Sequence, residues 1–128
     1  ARLAAGRHEA TDLELMQAAL DDMAGASDQD SFHEADIRFH HAVAAASGNS
    51  LFRLVFDSLV DLLRQRRAAW FMGRRRRGRD FAAVTDEHRR VFYAIVAGNE
   101  EEAARAMGAH LTASLEDLGA GIADSVRS

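Results

Sequence analysis

The sequence predicts an all-α protein, an antiparallel helical bundle with a truncated first helix. Three observations carry this. Proline is absent from all 128 residues. Ala, Leu, Arg and Glu, the good helix formers, are abundant and β-branched residues are few. Apolar residues recur at helical spacing, and no stretch alternates as a half-buried strand does.

Each element has its own signals. Thr11-Asp-Leu-Glu14 has the form of a capping box, in which the Thr hydroxyl and the Glu carboxylate satisfy the free N–H groups of a helix start. It opens a helix with Leu13, Met16, Leu20 and Met23 on one face, and residues before Thr11 read as the last turns of an earlier, truncated helix. Gly25 to Asp28 supplies the break. A second helix spans about 30–47, with Phe32, Ile37, Phe39 and Val43 inward. Gly48 then provides a left-handed stop, and Asn49 an N-cap for the next helix. That long helix carries Leu51, Leu54, Val55, Leu59, Leu62 and Leu63 and runs through Arg64 and Trp70, weakening near Gly73 or Gly78. A further helix covers about 80–97. Gly98-Asn99 repeats the stop and cap, with Glu102 at the capping-box position. The last helix continues to about Leu118, and Ile122 and Val126 offer a way to extend it.

Composition narrows the function classes. A chain of this length fits one domain, spanning 1–128, and its 48% apolar content fills a core. The absence of Cys removes disulfides, thiolate metal sites and Cys nucleophiles together. The polar first residues do not form a signal peptide, and no apolar run reaches the ~18 residues of a membrane span. The chain is therefore read as soluble and cytoplasmic, with no membrane partner. A net charge of −4 argues against nonspecific DNA binding by the whole surface.

The chemistry concentrates in three helices. Asp36 and His40 are four residues apart, so they stack on one helical face and can address one cation from a rigid element. His88 and His110 each lie mid-helix among apolar neighbours, which turns them towards the core. Buried imidazoles without partners cost about 1–3 kcal/mol each, and a shared metal would satisfy both. Three imidazoles and a carboxylate suit one divalent transition metal such as zinc, nickel, manganese or iron, and not calcium, which takes oxygen ligands. The plainer reading of the same residues is a set of hydrogen-bonded core histidines.

Among the other histidines, His33 reads as an outer partner of Asp36 or as part of a solvated face. His41, about 100° round the helix from His40, reads as structural or exposed. All sixteen basic residues are Arg. The run Arg74 to Arg77 with Arg79 is expected to be a solvated helix end. Arg64 or Arg67, inside the long helix, could clamp a carboxylate if turned inward. Glu87 adjoins His88 in sequence and is expected to point elsewhere.

The ordered segments EADIRFHHAVAAASGNSLF and DEHRRVFYAIVAGNEEEAARAMGAHL resemble the FCD effector-binding domain of GntR-type regulators of the FadR subfamily. The matching positions are Asp36 and His40, Ser47-Gly48-Asn49, Glu87-His88, Ala94-Ile95, Gly98-Asn99, and Met107 through His110-Leu111. The resemblance covers about 11–118. It implies that Asp36, His40, His88 and His110 bind a metal, commonly zinc or nickel, and that a small organic acid binds beside it. It also implies a homodimer that controls DNA affinity. Family members carry an N-terminal winged helix-turn-helix, to which nothing here corresponds, so this chain is expected to sense and not to bind operator DNA.

On that reading an Arg of the long helix, Arg64 or Arg67, and Asn49 add hydrogen bonds to the acid. The rival from another class is a helical-bundle mononuclear metalloenzyme of the hydrolase kind. It would need a general base near metal-bound water, and none is evident.

Overall fold

The computed structural model describes residues 7–47 and 50–127. These form six α-helices and no strand: α1 Arg7–Gly25, α2 Gln29–Ser47, α3 Ser50–Gln65, α4 Arg67–Arg76, α5 Phe81–Val96 and α6 Glu100–Arg127. The Gly48 stop and the Asn49 cap lie outside the described residues.

Side-by-side packing links α1 to α2, α2 to α3, α3 to α4, α4 to α6, α6 to α5 and α5 back to α1. The helices thus close a ring around a common core. α1 faces that core with Met16, Ala19, Leu20 and Met23, spaced by three and four residues as one helical face requires. α2 contributes Phe32, Ala35, Phe39, Ala42 and Val43, and α3 contributes Phe56, Val60 and Leu63. α6 turns Met107, His110, Ser114, Asp117, Leu118 and Gly121 inward, again at steps of three and four.

Local chemistry sets most of the helix ends. Asp28 accepts from the Ser31 N–H at 2.8 Å and opens α2, and Asp80 accepts from the Ala83 N–H at 2.8 Å and opens α5. Asn99 caps α6 by accepting from the Glu102 N–H at 3.0 Å. Gly98, at φ 71°, ends α5 in the left-handed turn that glycine adopts at no steric cost. There Gly98 N donates to Ile95 O and Asn99 N to Ala94 O. Gly78, also at φ 71°, ends the Arg-rich helix in the same way.

Three sequence expectations change. The capping-box pattern at Thr11 does not start a helix, because α1 runs unbroken from Arg7 and encloses Thr11. Nothing in the preceding residues interrupts the helix, so the supposed truncated helix and the first full one are a single element. The expected long helix is two, α3 and α4, meeting at Arg66 with φ −110° and ψ 30°. Hydrogen bonds from Arg66 N to Leu62 O and from Trp70 N to Arg66 O span the junction, which is therefore a bend. The tail joins α6, which runs on past Leu118 to Arg127.

The bend brings α4 hard against α6. A Cβ built on Gly73 would lie 1.6 Å from the Asp117 carbonyl oxygen, and one on Gly121 would lie 1.7 Å from that of Ala69. The two backbones touch, and only glycine fits at either point. Gly73 thus serves packing and does not end its helix. We expect Gly73→Ala and Gly121→Ala each to destabilise the fold by at least the ~1–3 kcal/mol of an overpacked core. Gly108→Ala and Gly119→Ala, where nothing lies within 4 Å, should be stabilising by up to about 1 kcal/mol. Thermal melts of the four variants check the contrast.

Candidate metal centre

Asp36 and His40 from α2, His88 from α5 and His110 from α6 meet inside the ring, all four buried. One donor atom from each lies within 4.8 Å of all the others. The Asp36 Oδ1 atom is 2.6 Å from His88 Nε2 and 2.8 Å from His40 Nε2. His40 Nε2 is in turn 3.2 Å from the Nε2 atoms of His88 and His110. A tetrahedral ion with bonds of about 2.0–2.1 Å separates its ligands by about 3.3 Å.

The opposite ring nitrogens fix the protons. His88 Nδ1 lies 2.7 Å from the Val84 carbonyl oxygen, which only accepts, so His88 carries its proton there. His110 Nδ1 lies 2.8 Å from Glu87 Oε1 and donates to it. Both Nε2 atoms therefore present lone pairs to each other, to His40 and to the Asp36 carboxylate. His40 Nδ1 has no partner, and its ring stacks on Phe56 at 5.0 Å. Four converging acceptors share at most the one proton that His40 can supply at Nε2. A divalent cation answers that imbalance, and the donor set fits one.

Charge states agree with this. Burial would raise the Asp36 carboxyl, but His40 and His88 beside it hold it well below the usual carboxylate range. Burial, then the neighbouring His88, pushes His110 down to about 3, so its imidazole is neutral at pH 7. An ionised carboxylate and neutral imidazoles are the forms that ligate metals.

Behind His110 stands a network absent from the sequence reading. Glu87 does point away from the Nε2 cluster, but onto the far nitrogen of His110. Arg79 holds Glu87, with Nη2 at 3.2 Å from Oε1 and Nη1 on Oε2. The Arg79 Nε atom also donates to both oxygens of Asp117, at 2.9 and 3.1 Å. Asp117, fully buried, takes a further bond from Arg77 Nη1 at 2.6 Å. Burial opposes charge on Glu87, yet bonds from His110 and Arg79 keep its carboxyl below the ordinary range.

The Arg run is consequently not a uniformly solvated helix end. Arg74 is 4% exposed, with its guanidinium over Phe81 at 4.6 Å. Arg77 and Arg79 tie α4 and the following turn to α6. Their partners Asp117 and Glu87 are about one helix apart in sequence, so spacing gave no signal. By contrast Arg64 is exposed, and Arg67 pairs at the surface with Asp30 at 3.4 Å. Asn49 is outside the described residues. His33 is buried, and His41 is exposed with Asp57 at 3.4 Å.

The ring of helices and the inward Asp-His cluster define the class. The chain belongs to the FCD domain family, whose model matches residues 1–113, as its resemblance to the effector domains of GntR-type regulators implied. It is 34% identical over 123 residues to the HTH-type transcriptional regulator LutR of Bacillus subtilis (strain 168), covering 92% of this chain and 54% of LutR. It is also 35% identical over 89 residues to a putative L-lactate dehydrogenase operon regulatory protein of Escherichia coli (strain K12). That match covers 66% of this chain and 33% of the relative. The chain thus spans about half or less of the length of these relatives. No solved structure matches it. Family and relatives point to a regulatory domain and not to an enzyme.

Glu87→Gln removes the charge that orients His110 while keeping its size. Partners of this kind are worth about 10–100-fold in metal affinity. We expect a loss in that range for Glu87→Gln, measured by competition with a chelating dye, with the helical circular dichroism retained.

Proposed function

We propose that this chain is the sensing domain of a bacterial transcription regulator of the GntR type, holding one divalent transition metal through Asp36, His40, His88 and His110. The observation that carries the reading is the proton arrangement: His88 and His110 spend their N–H groups on Val84 and Glu87, leaving acceptors facing acceptors. Zinc or nickel suits three imidazoles and a carboxylate best, with manganese or iron as further candidates.

The bound metal supplies a Lewis-acidic anchor for a small organic acid. The relative named for an L-lactate dehydrogenase operon supports a 2-hydroxy carboxylic acid, whose carboxylate and hydroxyl suit chelation. The protein's part is to hold the donors. α2, α5 and α6 come from different arcs of the ring, so a ligand bound among them has leverage on their packing. In the intact regulator, which we infer to be a homodimer with a winged helix-turn-helix, this differential binding couples to DNA affinity. The hydrolase reading loses ground because Glu87, the carboxylate nearest the cluster after Asp36, is committed to His110 and Arg79.

Metal binding to the folded state should stabilise it by about 2.7 kcal/mol at a hundredfold excess over Kd, several degrees in Tm for a domain this size. His88→Ala and His110→Ala should abolish the rise. Melting curves identical with zinc, nickel and a chelator would overturn the metal assignment, and elemental analysis of the purified chain provides an independent check.

A further inference from the structure

One helical turn from the metal cluster, the bundle buries polar atoms that nothing satisfies. Both ring nitrogens of His33 and Nε1 of Trp70 are shielded from solvent and have no hydrogen-bond partner. The side chains are 2% and 1% exposed. Their rings lie 6.0 Å apart at the centroids and tilt by 52°, and Phe71 meets His33 edge-on at 6.0 Å. Packed apolar side chains would avoid the desolvation penalty that these groups carry. Burial holds His33 below its ordinary value, so the ring is neutral and offers one N–H and one lone pair. Trp70 offers an N–H only.

We propose that His33 and Trp70 form the far end of the effector pocket and hold a hydroxyl of the acid set back from its metal-held carboxylate. This rests on the metal-and-acid reading above. A hydroxyl accepts from the Trp70 N–H and donates to the bare nitrogen of His33, satisfying both kinds of atom at once. A second carboxylate fits less well, because the cations that reach His33 electrostatically, Arg67 and Arg64, stand on the exposed face. His33 precedes Asp36 by three residues, which is about 4.5 Å along the helix. A 2-hydroxyl sharing the metal with its carboxylate falls short of that point, whereas a 3-hydroxyl reaches it. The effector class is therefore a short 2,3-dihydroxy acid, and these two residues select it over the 2-hydroxy acid lacking the outer oxygen.

Glycerate and lactate, which share a three-carbon skeleton, test this directly. Titration calorimetry on the zinc-loaded chain should show glycerate binding roughly tenfold tighter than lactate, the worth of a good buried hydrogen bond. Trp70→Phe and His33→Phe keep aromatic bulk and should bring the two acids to near-equal affinity, with zinc content and lactate binding retained. His33→Gln, which keeps a donor and an acceptor, should preserve the preference even if Trp70→Phe fails to fold. Equal binding of the two acids to the unaltered chain overturns the inference. A preference surviving in both Phe variants does so too, as does loss of lactate along with glycerate. Failure of the unaltered chain to bind either acid instead overturns the effector reading beneath it.

Discussion

Everything at the centre of this bundle depends on where two protons sit. The Val84 carbonyl takes the proton of His88, and the Glu87 carboxylate takes that of His110. Both residues are on α5, so one helix determines the tautomers of a ligand on itself and a ligand on α6. The consequence is a pocket of lone pairs around a buried carboxylate, held together although its members repel. Such an arrangement is expensive for the apo fold and favourable for a cation.

Glu87 keeps its role only because it is itself held. Arg79 spans Glu87 and Asp117, and Arg77 adds a second bond to Asp117. These links join the turn after α4 to α5 and to the middle of α6. The glycine contacts between α4 and α6 extend the same tie along the helices. Packing and electrostatics therefore fix the same surface, and the metal ligands inherit its rigidity.

The fold class and the four converging side chains were legible because each leaves a local trace. Asp36 and His40 share a face by spacing alone, and the apolar neighbours of His88 and His110 turn those residues inward. Gly98-Asn99 shows both a helix end and the next start within two residues. What stayed hidden is what depends on distant partners. Arg79 and Arg77 looked like solvent-facing charge because Asp117 lies nearly forty residues away. Arg74 looked the same, although two aromatic rings cover it. The bend at Arg66 has no proline or glycine to announce it; its cause is the close seat of α4 on α6. Thr11 misled in the other direction, since S/T-x-x-E caps a helix only where the helix begins.

The touching backbones of α4 and α6 also govern how the domain can move. Two helices separated by side chains can slide by repacking rotamers, but two in direct backbone contact translate together. α6 carries His110 near its middle and Gly121 three turns further on, where it grips Ala69. A displacement felt at His110 is thus delivered undiminished to α4 and stops at the bend beside Arg66. The pair acts as a stiff lever with its pivot at the start of α4, and α3 stands on the other side of that pivot.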